Sequence, residues 1–139
     1  MIDLADLEPH PARAAAMRSM AAVQAGDREA WLAVFAPDAV VEDPIGPSPF
    51  DPEGQGHHGI EAITAFWDNV ISQGRVAFTI RESYAAGSEC ANVGTITTTF
   101  ADGSRAIVDG VFSYRVDSQG RVVALRAFWE LAKLRMEPG

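Results

Sequence analysis

The chain has 139 residues, 47% of them hydrophobic and 22% charged, and a net charge of −8, which fits one domain over residues 1–139 and argues against binding a phosphate backbone. Its single cysteine, Cys90, excludes an internal disulfide, and three acids among the first eight residues are the opposite of a signal peptide. No stretch has the length of a membrane span, so a cytoplasmic protein is expected, with no membrane or nucleic-acid partner.

Residues 1–9 read as a loose tail. Pro11 suits the first turn of a helix that runs to about Ala25, with Ala14, Met17, Ala21 and Gln24 on one face. Gly26 is a helix stop and Asp27 an N-cap for a short second helix. That helix is expected to carry Trp31, Val34 and Phe35 at helical spacing. AVVED, residues 39–43, reads as a strand. The segment 44–59 holds four prolines and four glycines and reads as a long loop of the kind that shapes sites. A third helix follows over about 60–73, with Ile63, Phe66, Trp67, Val70 and Ile71 as its apolar stripe and Gly74 as its stop.

The second half is rich in β-branched and aromatic residues, with hairpin turns at ADGS (101–104) and DSQG (117–120). Helices first and an antiparallel meander last imply an α+β fold: helices packed on a curved sheet around an apolar interior.

Several motifs are discounted. GQGHHG (54–59) matches the dinucleotide pattern, but PSPFDPE before it cannot be a buried strand. His57 and His58 lack further ligands at metal spacing and are expected to face solvent. Cys90 reads as core filler. Glu42 and Asp43 are successive strand residues, so one faces in and the other out. An inward Asp43 would place a carboxylate in an apolar interior, which is costly unless hydrogen-bonded or functional. On spacing alone, a polar strand end and a catalytic carboxylate are equally good readings. Trp129, in RAFWEL, reads as core or as an indole donor to such a carboxylate. Phe112 and Tyr114 share a strand face with Val108 and Gly110, opposite Asp109.

GDREAWLAVFAPDAVVEDPIG, HGIEAITAFWDNVI and DGVFSYRVDSQGRVVALRAFW together resemble the ketosteroid isomerase branch of the NTF2-like (SnoaL-like) superfamily, over residues 12–134. The resemblance implies a cone of three helices on a strongly bent, mostly antiparallel sheet, a homodimer, and no cofactor or metal. It implies cofactor-free isomerisation of a Δ5-3-ketosteroid with Asp43 as the base, Trp129 beside it, and Phe35 and Trp67 as site aromatics. The family's two oxyanion donors fall on Ser19 and Phe112, neither of which matches. Asp109, Ser113 and Tyr84 are candidate replacements. An alternative is a module that binds a steroid, polyketide or other apolar ligand without turnover. A third is a related cyclase or epoxide hydrolase, although no Asp–Arg–Asp set is evident.

Overall fold

A computed structural model describes residues 2–139. Three helices, α1 (Pro11–Ala25), α2 (Arg28–Leu32) and α3 (Gly59–Asn69), pack against a seven-stranded sheet. Its strands are β1 (Phe35–Glu42), β2 (His57–His58), β3 (Arg75–Ala86), β4 (Glu89–Thr99), β5 (Arg105–Val116), β6 (Val122–Phe128) and β7 (Arg135–Glu137). The order is β2-β1-β6-β5-β4-β3, with β7 paired to β5. Every pairing is antiparallel except β1 with β6. This is the expected α+β architecture.

Local chemistry sets the helix ends. Pro11 opens α1, where its missing N–H removes nothing, and the His10 ring accepts from the Ala12 N–H. Gly26 closes α1 at φ 67, a left-handed conformation that favours glycine. The Asp27 carboxylate then caps α2 by accepting from the Ala30 N–H. The turns at 101–104 and 117–120 are closed by Phe100 N–H donating to the Ser104 carbonyl and Asp117 N–H to the Arg121 carbonyl.

Four expectations are corrected. α1 buries Ala12, Ala15, Ala16, Ser19, Met20, Ala22 and Val23, while Ala14, Ala21 and Gln24 face outward. Alanine recurs on every side of this helix, so hydropathy alone does not orient it. Phe35 opens β1 rather than riding on α2. The third helix stops at Asn69, and a short 3-10 turn covers Ile71–Gln73. The N-terminal segment is not loose throughout: Leu4–Asp6 form a 3-10 turn, Leu4 is buried, and the Ile2 N–H donates to the Ile80 carbonyl. Met1 lies outside the described residues.

The core joins helices to sheet through Trp31, Ile63, Val41 and Val122, all almost wholly buried. Trp31 is its hub, edge-on to Phe35 at 4.7 Å and tilted against Trp67 at 5.4 Å between ring centres.

Candidate functional site

The one parallel pairing builds the centre of the site. β1 and β6 lie side by side in the same direction, with Val41 opposite Leu125 and Glu42 opposite Arg126. Both chains therefore leave the sheet at the same end. Asp43 follows the last residue of β1, and Trp129 follows the last residue of β6. The Trp129 indole N–H donates to Asp43 Oδ1 at 2.7 Å. Gly110, on neighbouring β5, makes room for this pair: a Cβ there would lie 2.4 Å from the Phe128 carbonyl oxygen and 3.0 Å from Trp129 Cβ.

Glu42 points the other way and pairs with Arg126 at 3.0 Å. Asp43 opens inward, half-buried, into a cleft of two chambers. The inner chamber, of about 120 Å³, is lined by Ser19, Trp31, Phe112, Tyr114 and apolar side chains. The outer chamber, of about 390 Å³, reaches the surface past Phe50, Trp129, Leu131 and Met136. Asp43, Phe66, Val70, Ile96 and Thr98 border both. The outer chamber lies within the range of about 300–1,000 Å³ usual for ligand pockets.

The apolar surroundings disfavour the charged form of Asp43, so burial raises its pKa above the ordinary carboxylate value. The Trp129 hydrogen bond and the nearby His57 imidazole pull it back in part. His57 does not face solvent as expected. Its ring packs on Phe66 at 4.7 Å between ring centres, and its Nε2 is buried without a hydrogen-bond partner. His58 is exposed and sits against the Gln55 carbonyl. No cluster of three His, Cys, Asp or Glu side chains suited to a metal forms among the described residues.

Of the residues singled out from sequence, Asp43, Ser19, Phe112 and Trp129 meet at the cleft. Phe35 and Trp67 do not line it. They lie behind Trp31, which presents its own face to the inner chamber. The turn of α3 that carries Trp67 toward α2 aims Phe66 and Val70 at the cleft instead. The three proposed replacements for the oxyanion donors are elsewhere. Asp109 is exposed and held by Thr95 and Arg135. Ser113 donates to the Arg126 carbonyl, and Tyr84, exposed, donates to Glu82.

Two aromatic cleft residues with polar tips, Trp31 and Tyr114, were not among the expected site residues. Trp31 hid in a helix read only for core packing. Tyr114 could have been found from its two-residue spacing to Phe112, which puts both side chains on one face of β5. The Tyr114 hydroxyl lies 3.2 Å from Ser19 Oγ, and the Trp31 indole N–H donates to the same oxygen at 3.1 Å. Burial is the main cause that pushes the Tyr114 pKa up to about 12; the Asp43 charge adds to it and the Ser19 bond opposes it. The phenol is therefore protonated at neutral pH.

Residues 16–125 match the model of the SnoaL-like domain family. The chain belongs to the SnoaL-like family. The steroid Δ-isomerase of Nocardioides simplex is 27% identical over 126 residues, covering 91% of this chain and 95% of that one. The crystal structure of Δ5-3-ketosteroid isomerase from Mycobacterium sp. is 40% identical, with a TM-score of 0.89 over 93% of this chain and all of that one. RV0760c from Mycobacterium tuberculosis, solved in complex with estradiol-17beta-hemisuccinate, is 39% identical, with a TM-score of 0.86 over 91% of this chain and 99% of that one. No helix among the described residues is long and apolar enough to cross a membrane.

Proposed function

We propose that this SnoaL-like protein isomerises a ketosteroid-like substrate, with Asp43 as the general base. The observation that carries the reading is the Asp43 carboxylate, held at 2.7 Å by Trp129 in a mostly apolar cleft. In the proposed reaction, Asp43 takes a proton from the carbon between a ketone and a C=C bond. The electron pair moves onto the ketone oxygen as a dienolate. Protonated Asp43 then returns the proton at the far end of the former double bond, giving a conjugated enone. Atoms and electrons balance within the substrate, and no cofactor enters. A base with a raised pKa suits this step, because general bases work best with pKa values near the working pH. The relatives named for steroid isomerisation support the substrate class.

The test is the ultraviolet absorbance of the conjugated enone formed from a Δ5-3-ketosteroid. Asp43→Asn keeps the shape and the Trp129 contact but removes the base. Turnover is expected to fall about 10²–10⁴-fold, the usual contribution of a positioned base. Equal rates in both proteins would remove Asp43 from the mechanism.

One observation favours a second reading, binding without turnover. Phe112 stands buried where the resemblance puts an acidic donor, and it donates nothing. A missing oxyanion donor costs about 10²–10³ in rate. Saturable steroid binding with no enone formation would establish this alternative.

A further inference from the structure

The inner chamber contains a hydrogen-bond sequence with one donor left over among the described residues. An indole N–H can only donate, so Ser19 Oγ accepts from Trp31 at 3.1 Å. Tyr114 lies 3.2 Å from the same oxygen, so one of the two hydroxyls donates to the other. Two hydroxyls carry two protons, and their shared bond uses one. Among the described residues, neither oxygen makes any further side-chain hydrogen bond. Whichever way the shared bond runs, one O–H is left. Trp31, Ser19 and Tyr114 are 1%, 1% and 4% exposed, so bulk water is not a ready partner. All three line the inner chamber, with Asp43 at its junction with the outer one.

We propose that the Trp31–Ser19–Tyr114 relay donates its remaining hydroxyl proton to an acceptor-only oxygen of the ligand, a ketone that becomes an enolate, and thereby replaces the donors absent at Ser19 and Phe112. The inference rests on the isomerase reading for its substrate. It fixes the direction of binding. The ketone ring enters first and the rest of the ligand occupies the outer chamber. The inner chamber, at about 120 Å³, is somewhat below the roughly 150 Å³ of a cavity that takes benzene, so it admits the ketone edge of a ring rather than a whole ring system. Asp43 then stands beside the carbons next to the ketone. Trp31 acts through Ser19, polarising the hydroxyl as linked hydrogen bonds do. The protonated phenol of Tyr114 keeps the relay a donor at neutral pH.

The test is kcat and KM on a Δ5-3-ketosteroid for the unaltered protein, Ser19→Ala, Tyr114→Phe and the double variant. At least one single variant should lose about 10–10³-fold in kcat with KM changed far less, the signature of an interaction made in the transition state. The double variant should lose less than the product of the two, because both hydroxyls serve one proton. Tyr114→Phe removes a single oxygen and keeps the ring that fills the core. Should it misfold by circular dichroism, Ser19→Ala carries the test. Single variants within twofold of the unaltered kcat, while Asp43→Asn abolishes turnover, would overturn the relay and leave the base standing. If the unaltered protein turns nothing over, the isomerase reading fails separately, and binding decides. A 3-ketosteroid held at least tenfold tighter than its 3-deoxy counterpart, with the preference lost in both variants, supports the relay. Equal affinities, or binding of neither steroid, overturn it.

Discussion

The charge state of Asp43 is set by burial and by two neighbours that act against it. Burial in apolar surroundings raises its pKa, while the Trp129 N–H and the His57 imidazole lower it. A base works only when ionised, so activity should fall as pH drops through the raised value. Trp129→Phe deletes the donor and keeps an aromatic ring. The acid limb of the kcat/KM profile should then move to higher pH than in the unaltered protein, as measured by initial rates from pH 4 to 8, a range taken around the ordinary carboxylate and histidine values. A limb that stays in place would mean the indole does not tune the base. Sequence made Asp43 and Trp129 candidates and offered an indole-to-carboxylate bond as one reading of Trp129, but it could not decide between that and core packing. Asp43 and Trp129 lie 86 positions apart, and only the strand pairing brings them to 2.7 Å.

Among the elements, β5 is the one on which the site depends most. Its inner face presents Phe112 and Tyr114 to the cleft, and Gly110 lies against the backbone where Trp129 leaves β6. A methyl at Gly110 has no room, because the atoms it meets first are backbone oxygen and a Cβ rather than a flexible tip. Gly110→Ala should therefore displace Trp129 and cost about 1–3 kcal/mol of stability as an overpacked site. Urea unfolding reads the stability loss, and an upward shift of the same acid limb reads the displaced indole. Stability and pH profile both unchanged would show that β6 yields without consequence. The elements themselves were largely legible from sequence. Pro11, Gly26 and Asp27 mark helix limits through backbone chemistry that acts locally, whereas α3 stops at Asn69, five residues before the expected stop at Gly74. The facing of α1 was not legible, since its alanines distinguish no side. Nor was the placing of Trp67 behind Trp31, which is decided by how α2 and α3 pack.

For the whole molecule, the site carries a stability cost. Asp43 has a raised pKa in the folded state, so the folded protein holds that proton more tightly than the unfolded chain. The sign follows. Below the ordinary carboxylate pKa of about 3.9 both states are protonated and the group contributes nothing. As pH rises through the window up to the folded value, the unfolded chain ionises first and stability falls. The loss is complete above the folded value. Asp43→Asn removes it. The variant should melt higher than the unaltered protein at pH 7, and the gap should close as pH falls toward 4. Calorimetry at a series of pH values reads both, and a gap independent of pH would assign the difference to something other than this carboxyl.

What the sequence determined by itself was the order of the main helices and strands, and hence the α+β class, because capping residues, turn residues and side-chain periodicity act over a few positions. The two short strands β2, inside the expected loop 44–59, and β7 were not foreseen. The sequence also brought Asp43 forward, since a carboxylate closing an apolar strand is unusual enough to notice, and segments 26–46, 58–71 and 109–129 carried the family resemblance. Tertiary structure alone decided which side chains face the cleft. The parallel pairing of β1 with β6 delivered Asp43 and Trp129 to one edge. The packing of α1 over β5 set Ser19 against Tyr114, 95 positions away. The physical reason is range: a hydrogen bond acts over about 3 Å, and no local pattern records which distant strand will supply its other half.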